Sequence, residues 1–190
     1  MKNLNTAERL KQETLSQHQQ LEKLIISRIK AIDSLPAYIH LLNHFYTFYG
    51  GLEDIIPVSL VAPYLHDYSS RRKSAILEQD LLNCGAELPH KAIKEALPEI
   101  SNIAQAMGAL YVIEGSTLGG QIISGMIRKQ LNLDNDNCIT YFTGYGDQTM
   151  AKWMEFKKVI TSFPENEASI LVESANDTFV KFHHLIEKQR

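Results

Sequence analysis

The chain has 190 residues, 44% hydrophobic and 22% charged, with a formal net charge of −3. That length and composition give one domain (1–190) with a proper core, and the interleaved charges leave no broad basic footprint for nucleic acid. Two cysteines, Cys84 and Cys138, are too few for a disulfide framework and lack metal-site spacing, so reduced thiols in a cytoplasmic protein are expected.

The first residues hold no apolar run of the kind a signal peptide needs. No window approaches the roughly 20 apolar residues of a membrane span, so no membrane partner is expected.

Helical periodicity dominates, and the expected fold class is all-α. Asn5 followed by Glu8 resembles a capping box, so a first helix is predicted from about Thr6 to Ile32. Ser34-Leu-Pro36 opens a second, aromatic-rich helix that stops before Pro57. Pro63 to Asp67 reads as a connector. Ser69 or Ser70 starts a shorter helix that ends near Cys84, with Gly85 as its stop. Pro89 opens a short helix, and Pro98 or Ser101 begins a long one reaching about Leu131. Asn132 to Asn137 is a turn-rich break, and Tyr141 to Gly146 a loop with aromatic content. Two helices follow, Gln148–Ser162 and Pro164–Lys188.

The long helix is unusual for its glycines. Gly115, Gly119, Gly120 and Gly125 fall inside an otherwise apolar run. Each interior glycine costs roughly 0.8–1 kcal/mol relative to alanine, so several together ask for a compensating gain. One is backbone brought close to something flat or bulky. The other is tight helix packing at Gly115 and Gly119, one turn apart. Both remain open on this stretch alone.

The first helix carries a histidine in its apolar stripe. Leu10, Thr14, His18, Leu21, Ile25 and Ile29 trace one face. Lys11 lies two turns before His18, about 10 Å along the axis at 1.5 Å per residue, and Glu22 lies one turn after. A lone histidine there would be a core residue satisfied by a carbonyl. The neighbours argue otherwise: Glu22 is placed to steady the ring nitrogen that does not bind a ligand. Lys11 is placed to reach the edge of a large anionic ligand. With no other histidine or cysteine on this face, a metal here would take its other ligands from elsewhere, as in a porphyrin.

Two segments together, Leu10-Lys-Gln-Glu-Thr-Leu-Ser-Gln-His18-Gln-Gln-Leu-Glu22 and Tyr111-Val-Ile-Glu-Gly-Ser-Thr-Leu-Gly-Gly-Gln121, resemble the heme oxygenases, specifically the bacterial branch associated with bacteriophytochromes. Helix order and size agree over nearly the whole chain. The resemblance implies a helical bundle that clamps heme between a proximal helix and a kinked distal helix. It implies oxidative cleavage of heme, both substrate and cofactor, to biliverdin with release of carbon monoxide and iron. Molecular oxygen and an external reductase or ferredoxin-type electron donor are required partners, and a bacteriophytochrome is the expected acceptor of biliverdin.

By the same resemblance His18 is the iron ligand, with Thr14 and Glu22 beside it and Lys11 near a propionate. Gly115 and Gly119 are where the distal backbone crosses the heme, followed by Gly120. Lys157 or Lys158 are propionate contacts, and Phe179 lines the distal side. Ser116 stands where many heme oxygenases have aspartate; its hydroxyl is expected to hold a water, and the serine form is in keeping with the bacteriophytochrome-associated branch. Two other classes use different chemistry. A heme carrier or sensor would use the same pocket without turnover. A di-iron protein of the same superfamily needs Glu-x-x-His pairs on facing helices, and Glu22 and His18 run in the opposite order.

Overall fold

The computed structural model describes residues 4–71, 74–132 and 137–188, and among these there are helices and turns but no strand. Helix α1 spans Thr6–Glu13 and begins as the sequence predicts. The Asn5 side chain accepts from the Glu8 amide and the Glu8 carboxylate accepts from the Asn5 amide, both at 3.0 Å.

The single helix expected through Ile32 is divided at Thr14, with α2 running Leu15–Lys30. Thr14 Oγ1 donates to the Leu10 carbonyl at 2.8 Å, a back-bond that bends helices. Backbone bonds continue across it, from the Thr14 amide to Leu10 O and from the His18 amide to Thr14 O. The result is a bend, not a break.

Helix α3, Leu35–Ile55, has Pro36 in its first turn and stops before Pro57, as expected. Short helices α4 (Val58–Val61) and α5 (Tyr68–Arg71) precede α6 (Ser74–Asn83). The predicted helix from Ser69 or Ser70 thus corresponds to α5 and α6, with residues 72 and 73 outside the described ones. Gly85 follows at φ +75°, the left-handed stop that glycine favours.

The helix expected at Pro89 does not form; only a 3₁₀ turn at Lys94–Ala96 does. The reason is tertiary. The Ala92 amide donates to Thr47 O at 2.8 Å and Thr47 Oγ1 donates to His90 O at 3.1 Å. The segment therefore satisfies its backbone on α3. Gly51 makes room for it, since a Cβ there would lie 2.6 Å from Ala92 O.

The long glycine-containing helix starts later than expected and is kinked. Asn102 caps α7, Ile103–Ser116, and α8 runs Gly120–Leu131 after a turn at 117–119. Asn132 closes α8 at φ 48°, while most of the predicted Asn132–Asn137 break lies outside the described residues. Tyr141–Thr143 and Gly146–Gln148 are 3₁₀ turns. Helices α9 (Thr149–Thr161) and α10 (Glu165–Lys188) fall where predicted.

Helix α10 packs along α7 and also meets α2, α1 and α3. The backbones of α7 and α10 approach so closely that a Cβ on Gly108 would sit 2.4 Å from Leu171 O. Aromatic rings fill the centre: Phe48 of α3 stacks on Phe182 of α10 with centroids 4.8 Å apart. This core holds α2 on one side and the α7–α8 kink on the other, with a cleft between them.

Candidate functional site

The cleft is a cavity of about 550 Å³ bounded by α1, α2, the α7–α8 kink, α9 and the aromatic core. That volume suits a cofactor-sized ligand, since such pockets measure about 300–1,000 Å³. Its lining is mainly apolar. Lys11, Thr14, His18 and Glu22 border it from the first two helices. Gly115, Ser116, Gly119 and Gly120 border it from the facing wall, with Lys157 and Phe179 also at its edge.

His18 lies where the apolar stripe opens onto the cavity. Leu10 and Ile29 in that stripe are fully buried, while the His18 side chain is 54% exposed. Its Nδ1 lies 3.8 Å from Glu22 Oε2, which leaves Nε2 as the nitrogen for a ligand. Its ring meets Phe179 edge to face, with centroids 5.6 Å apart and planes at 84°. Phe179 thus packs on the His18 side of the cavity, not on the opposite side where the sequence reading put it.

The glycines of the facing wall separate into two kinds. A Cβ on Gly115 would come no nearer than 3.9 Å to Trp153, and one on Gly119 no nearer than 3.9 Å to Ser116 O. Neither is needed for helix packing, and both leave bare backbone facing the cavity. Gly120 differs: a Cβ there would lie 2.2 Å from Phe142 O, so it lets the 3₁₀ segment press on α8. Gly125 has nothing within 4 Å and serves neither purpose.

Beside this wall sits a group of hydroxyls. Ser116 Oγ donates to Ile113 O at 2.7 Å, and Tyr49 and Tyr141 line the cavity together with Ser116. Burial pushes both phenols above the ordinary tyrosine value. They remain neutral hydroxyls. The Ser116 proton is committed to Ile113 O, so a water held at Ser116 would donate to its Oγ.

Positive charge gathers at the rim. Lys11, Lys30 and Lys157 border the cavity. Lys158 does not; it borders a separate surface depression with Lys152 and Glu155. One residue of helical rotation, about 100°, accounts for the difference and fixes the register that the sequence left undecided.

A buried ion cluster behind the glycine wall escaped the sequence reading. Arg71, 1% exposed, donates to Asp67 Oδ1 at 2.6 Å, Glu114 Oε2 at 3.0 Å and Glu155 Oε2 at 2.6 Å. Tyr145 donates to the other Glu114 oxygen at 2.7 Å, and Lys152 pairs with Asp67. Burial alone would raise the Asp67 pKa, but the bonds from Arg71 and Lys152 outweigh it and hold the carboxyl below its usual value. Glu114 immediately precedes Gly115, so the cluster anchors the kinked wall to α5 and α9. The sequence offered no local spacing that joins these residues.

Among the described residues no group of three or more metal-binding side chains occurs, and no helix is long and apolar enough to cross a membrane. A metal in this cavity would have His18 as its protein ligand, as in a porphyrin. The facing glycine backbone leaves the thin, side-chain-free gap that a planar macrocycle needs, and the rim lysines suit its carboxylates.

Comparison with known proteins agrees. The chain is 29% identical to a heme oxygenase of Xanthomonas campestris over 149 residues, covering 77% of this chain and 86% of that protein. It is 25% identical to heme oxygenase PigA of Pseudomonas aeruginosa, covering 96% and 91%. The NO- and CO-bound heme oxygenase of Neisseria meningitidis has the same fold, with a TM-score of 0.85 at 21% identity over 98% of this chain and 92% of that one. The heme oxygenase of Leptospira interrogans gives 0.78 at 18% identity, covering 97% and 100%. The heme oxygenase family model matches residues 4–188, and the chain belongs to the heme oxygenase family, enzymes that cleave heme.

Proposed function

We propose that this enzyme binds heme between α2 and the α7–α8 kink and cleaves it to biliverdin, carbon monoxide and iron. The electrons come from an external reductase or ferredoxin-type donor, and oxygen is the co-substrate. The observation that carries this reading is the pairing of His18 on one wall with bare backbone at Gly115 and Gly119 on the other. Bound heme supplies the iron at which oxygen is activated and the carbon skeleton that is cut.

The chain's own residues divide the remaining work. His18 would hold the iron through Nε2, with Glu22 beside Nδ1 to orient the ring. A neutral imidazole lacks the electron push of a thiolate, which favours O–O cleavage. Lys11 and Lys157 at the rim would hold the propionates. The bare backbone at Gly115 and Gly119 would leave room for a flat group, and the apolar lining would keep water scarce around it. A bacteriophytochrome is the acceptor we propose for the bilin, on the strength of the serine form of the glycine motif.

Incubating the hemin-loaded protein with a reductase system in air tests this. Loss of the heme absorption with formation of biliverdin and an equivalent of carbon monoxide is expected. Heme that survives repeated reduction and reoxidation would instead make the protein a heme carrier or sensor.

A further inference from the structure

The glycine wall is held from outside the helices that form it. Asp80 of α6 is 0% exposed, and a carboxylate taken out of water needs its oxygens bonded. Asp80 Oδ1 accepts from the Thr140 amide at 3.1 Å and Asp80 Oδ2 from the Tyr141 amide at 2.7 Å. These amides open the 3₁₀ turn Tyr141–Thr143, whose own bonding begins with the Thr143 amide on Thr140 O at 3.0 Å. The first amides of a helical turn have no partner within it. A side chain 60 residues earlier supplies both. Only a carboxylate can do so, because an asparagine there would set its NH₂ against one of the two amides.

The turn pinned in this way bears directly on the cavity. Tyr141 and Phe142 line it, and Phe142 O fits against Gly120, where a Cβ would lie 2.2 Å away. Gly120 opens α8 and follows Gly119, whose bare backbone faces the same cavity. One buried carboxylate therefore fixes both the aromatic floor and the point where the wall kinks. The segment has two other fastenings: Asn83 Nδ2 donates to Asn137 O and the Tyr38 hydroxyl to Cys138 O, both at 2.7 Å. Neither Asn137 nor Cys138 borders the cavity.

We propose that Asp80 is a positioning residue for the heme reaction: by pinning the Thr140 and Tyr141 amides it holds Phe142 O against Gly120, and so sets the gap between the glycine wall and the heme face opposite His18. The proposal rests on the reading of the cavity as a heme site. Loosening the pin leaves His18 and the rim lysines where they are, since these come from α1, α2 and α9. It alters the opposite wall alone.

Carbon monoxide on the ferrous heme complex is the probe, because its stretching band responds to what surrounds it on the side away from His18. Asp80→Asn should shift or broaden that band and weaken hemin binding several-fold, with the histidine-ligated spectrum kept. Thr140→Pro is a milder second variant, removing one of the two amides from an exposed residue whose φ of −61° suits proline. It should move the band in the same direction by less. Asn83→Ala, which loosens the same segment away from the cavity, should leave the band in place. Unfolding of the apo-proteins supplies a readout without heme. Asp80→Asn lets Phe142 O retreat, so Asp80→Asn and Gly120→Ala together should cost less stability than the sum of the two alone. An unmoved band in Thr140→Pro or in folded Asp80→Asn, an equal shift in Asn83→Ala, or strictly additive losses overturns the proposal. Failure of the wild-type protein to give a histidine-ligated hemin spectrum would instead overturn the heme-site reading, and this proposal with it.

Discussion

Arg71 and Glu114 form an ion pair at 3.0 Å in which the side chains are 0% and 3% exposed. The pair joins α5 to the last turn of α7, directly behind the cavity wall at Gly115. Removing one member of a buried pair strands the other charge, at a cost of about 3–5 kcal/mol. Arg71→Leu should lower apo-protein stability by that amount in urea unfolding. Adding Glu114→Gln should recover part of the loss, because the stranded charge is gone. A single substitution with no measurable effect would mean that the cluster does not anchor the wall.

The glycines give predictions of opposite sign. Gly115 lies inside α7 with room for a Cβ, so Gly115→Ala should stabilise the apo-protein by up to about 1 kcal/mol while weakening hemin binding. Gly120→Ala should destabilise it by about 1–3 kcal/mol through the clash with Phe142 O. Thermal unfolding and hemin titration of both variants check this. A stabilised Gly120→Ala, or unchanged hemin affinity in Gly115→Ala, would contradict the division of roles.

These two cases mark what was legible in the sequence. His18 and Glu22 lie on one helix face, and their relation follows from helical spacing alone. The glycine run was also visible, but which glycine faces a ligand and which faces Phe142 depends on a segment some twenty residues further along the chain. Thr14 bends its helix through a local back-bond that leaves apolar periodicity intact, so the bend was invisible to pattern. The stretch after Pro89 forms no helix because its backbone pairs with Thr47 of α3 rather than with itself. Arg71, Glu114 and Glu155 converge from three elements, and no spacing rule reports such a meeting.

Charge at the cavity rim should separate neighbouring lysines. Lys11→Glu and Lys157→Glu should each weaken hemin binding several-fold at low salt, with the difference shrinking as salt screens it. Lys158→Glu should not, since that side chain borders a different surface. Changed isomer composition of the biliverdin from the first two variants would show that the rim lysines set the heme's rotation. Equal effects from Lys157 and Lys158 would remove the register assigned to α9.

Alkaline pH should unfold the protein through its buried phenols. Tyr49 and Tyr141 titrate above the ordinary tyrosine value of 10.0 because burial disfavours their charged form. In the unfolded chain both ionise near the ordinary value. Their contribution is therefore fully present below about pH 10 and is lost as pH rises toward the raised folded values, because the unfolded state then binds fewer protons. The thermal midpoint should be insensitive to these groups at pH 8–9 and fall above about pH 10. Tyr49→Phe should flatten that fall. Ionisation of every tyrosine near the ordinary value in the intact fold would contradict the burial.

The most direct measurement is a hemin titration of His18→Ala followed by absorption spectroscopy, with added imidazole as the second step. Loss of the histidine-ligated spectrum, with partial return on adding imidazole and no change in the far-ultraviolet signal of the fold, is the predicted result. A variant whose hemin spectrum matches the wild type would place the iron ligand elsewhere and contradict the assignment of α2 as the heme-bearing wall.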